Sequence, residues 1–226
     1  MKVEKDNNIA IFDTFKTRKN SFTGEAKRQR GIIAHLATEQ SPELRTRTSI
    51  AHAIARKDNI LWQNIYSGIF RDLDEVLIPS GIVKVEGRLP LRRGPRALQL
   101  EGVPFYELTE AGLLVASSIE ELGNNRLRIL ESYITSISAG GESEKIMYNG
   151  FLLLIRLSPS FVSKIIKEYI HACCTGLVDD IIPIDVKKLQ RVVSRQIAVE
   201  RELVEAFDAL HEDQKDLVKK FFKVLG

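Results

Sequence analysis

The clearest chemical signal in the sequence is a cluster of arginines, with no acidic residue among them, inside nine consecutive positions. The four are Arg88, Arg92, Arg93 and Arg96. Guanidinium groups bind phosphate through paired hydrogen bonds and suit the narrow minor groove of DNA. Gly94 and Pro95 lie within the cluster and are typical of a turn. The pattern favours a basic loop that contacts nucleic acid; the alternative is an exposed loop that only promotes solubility.

Motifs for other kinds of chemistry are missing from the sequence. There is no G-x-x-x-x-G-K-[ST] phosphate loop, no G-x-G-x-x-G after a strand and no G-x-S-x-G nucleophile turn. His171, Cys173 and Cys174 form one metal-like group, but a zinc site needs paired ligands from at least two segments. We therefore expect no enzyme activity, no cofactor and no metal site.

Composition and charge are those of an ordinary globular protein. The chain has 226 residues, of which 44% are hydrophobic and 28% charged, enough for one large domain or two small ones. The net charge of +3 comes from a basic N-terminal half, which fits a polyanionic partner only weakly. The N-terminus lacks an apolar signal-peptide core, and the longest apolar run, residues 150–157, is too short to cross a bilayer. We expect a soluble cytoplasmic protein with no membrane partner.

The elements that position the arginines follow from hydrophobic periodicity. Helices are predicted from Thr23, over 48–56 and over 60–78, the third with an apolar stripe from Leu61 to Leu77 that Trp62, Tyr66 and Phe70 widen. Strands over 82–85 and 105–108 flank the arginine cluster, and Thr109 is the expected N-cap of a following helix. A two-stranded hairpin needs a supporting core, so we expect it to lie against these helices.

Two segments resemble the winged helix-turn-helix superfamily of prokaryotic transcription regulators, with a leaning toward archaeal members, over residues 26–122. The first is similar to the end of a recognition helix that runs into the first wing strand: Leu73-Asp74-Glu75-Val76-Leu77, then Ser80-Gly81-Ile82-Val83. The second is similar to the Y-x-L-T-x-x-G junction between the last wing strand and the next helix: Tyr106-Glu107-Leu108-Thr109-Glu110-Ala111-Gly112.

The resemblance implies that the third helix enters the major groove and that the arginine-rich wing contacts phosphate or the minor groove. Arg45 and Arg47, ahead of the second helix, become phosphate contacts. Amide and guanidinium groups read adenine and guanine edges. The third helix offers such groups, and a hydroxyl, at Gln63, Asn64, Ser67 and Arg71. Against this, carboxylates repel phosphate, and three follow in the same helix: Asp72, Asp74 and Glu75.

The expected fold class is mainly α with a small β-hairpin, a winged-helix domain followed by an all-helical C-terminal domain. We divide the chain into a polar basic arm (1–22), the winged-helix domain (23–122), a connecting helix and linker (123–140), and a helical domain (141–226). The arm is either a solvated tail or a nucleic-acid contact. The helical domain serves dimerisation or partner binding, or senses an effector.

The function that fits best is a DNA-binding transcriptional regulator. Its partner is double-stranded DNA, and we expect a homodimer formed through the C-terminal helices. The alternative from another class is a winged-helix scaffold for protein interactions that binds no nucleic acid. RNA binding is a third option.

Overall fold

The computed structural model describes residues 9–17, 21–91, 101–138 and 140–225. The chain divides into two compact units, residues 1–186 and residues 187–226. The first unit continues past Gly140 and Gly141, where the sequence analysis places a domain boundary.

Three helices open the first unit. Helix α1 (Gly24–Thr38) begins at Thr23, whose hydroxyl accepts the Ala26 N–H at 3.1 Å. Helix α2 (Arg47–Asp58) is capped by Thr46 and ends at Asn59 in a left-handed conformation. Helix α3 (Gln63–Arg71) runs directly into a π-helical turn, Asp72–Leu77. The predicted third helix, 60–78, is therefore present but shorter at its start.

The small sheet is an antiparallel hairpin of β1 (Val83–Leu89) and β2 (Val103–Leu108), with Val83 opposite Leu108. Thr109 caps helix α4 (Glu110–Ala116) by accepting the Gly112 N–H at 3.1 Å, as the sequence predicts. Gly112 is needed because a Cβ there would lie 2.2 Å from the Ile82 carbonyl oxygen. The hairpin end and the start of α4 are thus in backbone contact.

The remaining helices of the first unit are α5 (Asn125–Ser136), α6 (Glu142–Leu157) and α7 (Pro159–Cys174). Their buried faces carry large apolar side chains such as Phe151, Ile166 and Tyr169. The Tyr169 hydroxyl donates to the Ile181 carbonyl oxygen at 3.0 Å, which fastens the segment after α7 to this core.

Part of the expected N-terminal arm belongs to the core instead. Ile9, Ala10 and Ile11 are buried, and the Ala10 N–H donates to the Gln29 amide oxygen at 2.8 Å. The expectation of a solvated or DNA-contacting tail is wrong for these residues, because their short apolar run is packed into the fold. Arg18 and Lys19 of the arm lie outside the described residues.

The second unit contains helices α8 (Val186–Val193, beginning at the boundary), α9 (Ala198–Asp208) and α10 (Glu212–Leu225). The protein is mainly helical with one small hairpin in its described part, which confirms the coarse fold class. No helix in the described part of the chain is both long enough and apolar enough to cross a bilayer.

Candidate nucleic-acid interface

The side chains of α3 separate into a core-facing and a solvent-facing set. Ile69 is buried together with Leu73 and Leu77 of the π-helical turn, at a spacing of four residues. The four candidate base-contacting residues of α3 are all exposed: Gln63, Asn64, Ser67 and Arg71. The structure therefore brings them together on one side of the helix, as the spacing predicts.

Phe70 lies on this exposed side as well. Its position in the sequence predicts that it widens the apolar stripe, but 44% of its surface is exposed. It follows Ser67 by three residues and precedes Arg71, so helical spacing alone places it on the outer face. The Arg47 guanidinium lies over the Phe70 ring, 3.9 Å from its centroid, as a cation–π contact.

Arg47 is held by contacts inside the protein. Its guanidinium forms an ion pair with Asp74 and also lies 5.5 Å from the centroid of the Tyr106 ring in β2. One side chain at the start of α2 thus joins α3, the π-helical turn and the hairpin. A phosphate contact by Arg47, as predicted, would require it to leave Asp74.

Asp72 is engaged in a second ion pair that the sequence analysis missed. Its carboxylate is fully buried and accepts hydrogen bonds from Arg28 of α1, at 2.8 Å from Nε and 3.3 Å from Nη2. Arg28 reaches Asp72 by crossing α3 at Gly68, where a Cβ would lie 2.6 Å from the Arg28 Nε. Gly68 is therefore the residue that lets α1 and the π-helical turn share this charge pair.

Two other predicted arginines, Arg45 and Arg88, contact the hairpin or lie within it. The Arg45 guanidinium sits over the Phe105 ring of β2, 5.4 Å from its centroid. Arg88 of β1 donates to the Gly102 carbonyl oxygen at 3.1 Å and lies 3.6 Å from the exposed Glu101 carboxylate. The predicted wing-tip residues lie outside the described part of the chain: Arg92, Arg93 and Arg96.

Charge is balanced at the base of the hairpin. Lys84 Nζ lies 3.0 Å from Glu86 and 3.4 Å from Glu107. Hydrogen bonds with Glu86 and then with Glu107 raise the pKa of the Lys84 ammonium. Burial raises the pKa of the nearby Tyr106 hydroxyl, against the opposing influence of Arg47. Arg88 lies farther along β1 than these groups, 3.6 Å from the exposed Glu101 carboxylate.

An aromatic group lies where α3 begins. The ring of Trp62, the single tryptophan of the chain, is 4.6 Å from the His52 ring and 5.5 Å from the Tyr66 ring. Trp62 and Tyr66 are predicted to widen the apolar stripe, and both are only half-buried. Trp62 fluorescence therefore reports on the environment at the start of α3.

Comparison of the chain with family models, with curated proteins and with solved structures finds no match.

We call the exposed α3 residues Gln63, Asn64, Ser67 and Arg71, together with Arg45 and Arg88, the α3–hairpin surface. It offers two amides, a hydroxyl and three guanidinium groups, which suit hydrogen bonding to base edges and phosphates. Among the described residues, no three His, Cys, Asp or Glu side chains come together in a way that could hold a metal ion.

Proposed function

We propose that the protein is a DNA-binding transcriptional regulator of the winged-helix type. One observation carries the proposal: two of the three carboxylates that follow α3 are held in ion pairs. Arg28 binds Asp72 and Arg47 binds Asp74, which leaves Glu75 as the exposed acid of this turn. The electrostatic objection to placing α3 against a phosphate backbone is thereby reduced.

In this proposal α3 lies in the major groove. Gln63 and Asn64 read adenine edges, and Arg71 reads guanine. Arg71 suits this role because half of its side chain is exposed and its closest acid, Asp72, is 4.0 Å away and already bound to Arg28. Ser67 adds a hydroxyl contact.

The hairpin supplies affinity for the backbone. Arg45 and Arg88 flank β2 and contact phosphate, and the arginines beyond residue 91 extend this contact to phosphate or the minor groove. Arg47 acts as a positioning residue, because its contacts with Phe70, Asp74 and Tyr106 fix α3 relative to the hairpin.

The proposal is tested by titrating the purified chain into random-sequence duplex DNA across a salt series, with DNA anisotropy and Trp62 fluorescence as two readouts. We expect a micromolar Kd that weakens with salt, with a log–log slope of several units. Arg92→Glu with Arg93→Glu should abolish binding. The matched control, Lys145→Glu with Arg156→Glu, makes the same charge change on α6 and should bind normally.

A second pair of variants separates base reading from backbone attraction. Gln63→Ala with Asn64→Ala should leave binding to random DNA within a few-fold of wild type but reduce the preference for a selected site, by about 1–3 kcal/mol for each lost base pairing. Loss of both kinds of binding, or of neither, would contradict the roles assigned to α3.

The alternative function is a scaffold for protein interactions without nucleic acid. Exposed apolar side chains near α3 favour it: Ile60, Leu61 and Phe70 are each more than 40% exposed. Such residues are typical of a protein-binding patch. Absence of DNA binding even at low salt, with duplex RNA as a parallel probe, would leave this function as the better proposal.

A further inference from the structure

The second unit exposes an apolar stripe along α10. Leu217, Phe221 and Val224 follow one another at helical spacing, and 68%, 56% and 85% of their surfaces are exposed. Helix α9 repeats the pattern with Val199 and Leu203, which are 73% and 47% exposed. Both helices therefore carry an apolar face toward solvent.

The unit is too small to cover these faces by itself. It spans residues 187–226, and within its described residues the buried side chains are Val192 and Val193 of α8. Helix α9 buries none of its side chains. Chains of about 40 residues usually need disulfides, metals or oligomerisation to fold stably. The stripe on α10 therefore calls for a partner surface.

Charge on α10 indicates what that partner is. Its first turn carries Glu212 and Asp213, whereas its second half carries Lys219, Lys220 and Lys223. A second copy of the same helix in antiparallel orientation brings the acidic end of each copy to the basic end of the other. The dipoles of two antiparallel helices also attract each other. A parallel copy would bring like charges together.

The spacing along α10 allows one register to satisfy both features. If Leu217 lies level with Phe221 of a second copy, Asp213 lies level with residue 225 of that copy. At about 1.5 Å per residue, Lys223 of the second copy is then within one helical turn of Asp213. The apolar contacts occupy the centre, and the charged contacts close both ends.

We propose that α9 and α10 join two copies of this chain, with α10 packed antiparallel against α10 of the second copy. The two α10 helices then cover each other's exposed stripes, and the exposed apolar side chains of α9 extend the surface that each copy offers. This dimer does not depend on DNA binding. Under the proposed function, each dimer presents two DNA-contacting surfaces.

The first test is the mass of the full chain by light scattering and sedimentation equilibrium. The chain is 25.5 kDa, so we expect a particle of twice that mass. Leu217→Glu with Phe221→Glu should raise the dimer dissociation constant at least tenfold while far-UV circular dichroism stays unchanged. A monomer at all concentrations overturns the proposal, whether α10 is then covered by its own chain, another protein or a membrane.

A control variant separates α10 pairing from other modes of packing. Leu153 of α6 is 58% exposed, and Leu153→Glu makes the same change on the first unit. We expect this variant to remain dimeric. Dissociation of the Leu153→Glu protein would place the contact on α6 and overturn the pairing of α10 with itself.

Charge exchange tests the identity of the partner directly. One variant carries Glu212→Lys with Asp213→Lys, which makes both ends of α10 basic; the other carries Lys220→Glu with Lys223→Glu, which makes both ends acidic. Each alone should dimerise at least tenfold more weakly than wild type, and an equimolar mixture should recover association as a heterodimer. A mixture that stays monomeric would contradict the antiparallel pairing.

Discussion

Gly68→Ala is expected to destabilise the first unit, although alanine is the better helix former. The added Cβ would lie 2.6 Å from Arg28 Nε and 2.9 Å from its guanidinium carbon, so Arg28 must leave its present path. We expect this shift of a flexible side chain to break its hydrogen bonds at 2.8 and 3.3 Å with Asp72, which is fully buried. The substitution tests whether the Arg28–Asp72 pair holds the end of α3 in place.

The magnitude follows from two opposing terms. Removing one partner of a buried ion pair costs about 3–5 kcal/mol. The helix propensity of alanine over glycine returns about 1 kcal/mol. Taking these general values together, we expect a net loss of about 2–4 kcal/mol in the free energy of unfolding.

Urea unfolding followed by Trp62 fluorescence measures this loss, because Trp62 lies next to α3 in the first unit. Gly150→Ala is the matched control: Gly150 lies inside α6 with no atom within 4 Å of an added Cβ, and we expect a gain of about 0.5–1 kcal/mol. In an Asp72→Asn background, Gly68→Ala should lower the free energy of unfolding by at least about 1 kcal/mol less than it does in wild type, because no buried charge is left unpaired. A Gly68→Ala protein as stable as wild type would refute the reasoning.

Two further predictions concern titrating groups. Burial raises the pKa of the Cys174 thiol from 9.0 to about 12, so its alkylation by iodoacetamide at pH 8 should be about 1,000-fold slower than in urea-unfolded protein; equal rates would contradict this. Burial of Glu121 opposes its ionisation, but hydrogen bonds from Arg30 and from the Glu121 backbone, together with the positive charges of Arg30 and Lys57, outweigh burial and lower the Glu121 pKa. Because the folded-state pKa is lower than the unfolded value of 4.5, ionised Glu121 stabilises the protein above pH 4.5, and this stabilisation is lost as the pH falls through the folded-state pKa. The free energy of unfolding in urea should therefore fall more for wild type than for Glu121→Gln between pH 5 and pH 3.

Local patterns in the sequence predict local structure well. Thr109 followed by Glu110 predicts an N-cap, and the structure has that cap. The strands on either side of the arginine cluster are present and longer than expected, at Val83–Leu89 and Val103–Leu108. These features depend on neighbouring residues, so the sequence carries the information directly.

Contacts between distant residues are not predictable in this way. Arg28 and Asp72 are 44 positions apart, and Arg47 and Asp74 are 27 apart, so no spacing rule joins them. Leu61 shows that hydrophobic periodicity also does not fix where a helix begins. It fits the apolar stripe of the third helix, but the helix begins at Gln63 and Leu61 remains exposed in the preceding turn.

The two ion pairs behind α3 also bear on how such a surface can change over evolutionary time. Arg28–Asp72 and Arg47–Asp74 fix the helix from its inner side and its end. Gln63, Asn64 and Ser67 have no part in these pairs, and Arg71 approaches Asp72 only at 4.0 Å. Substitutions at the four outer positions can therefore accumulate one at a time without loss of the scaffold. In divergent descendants of this chain, positions 28, 68 and 72 should change together or not at all, while the outer positions vary with the partner.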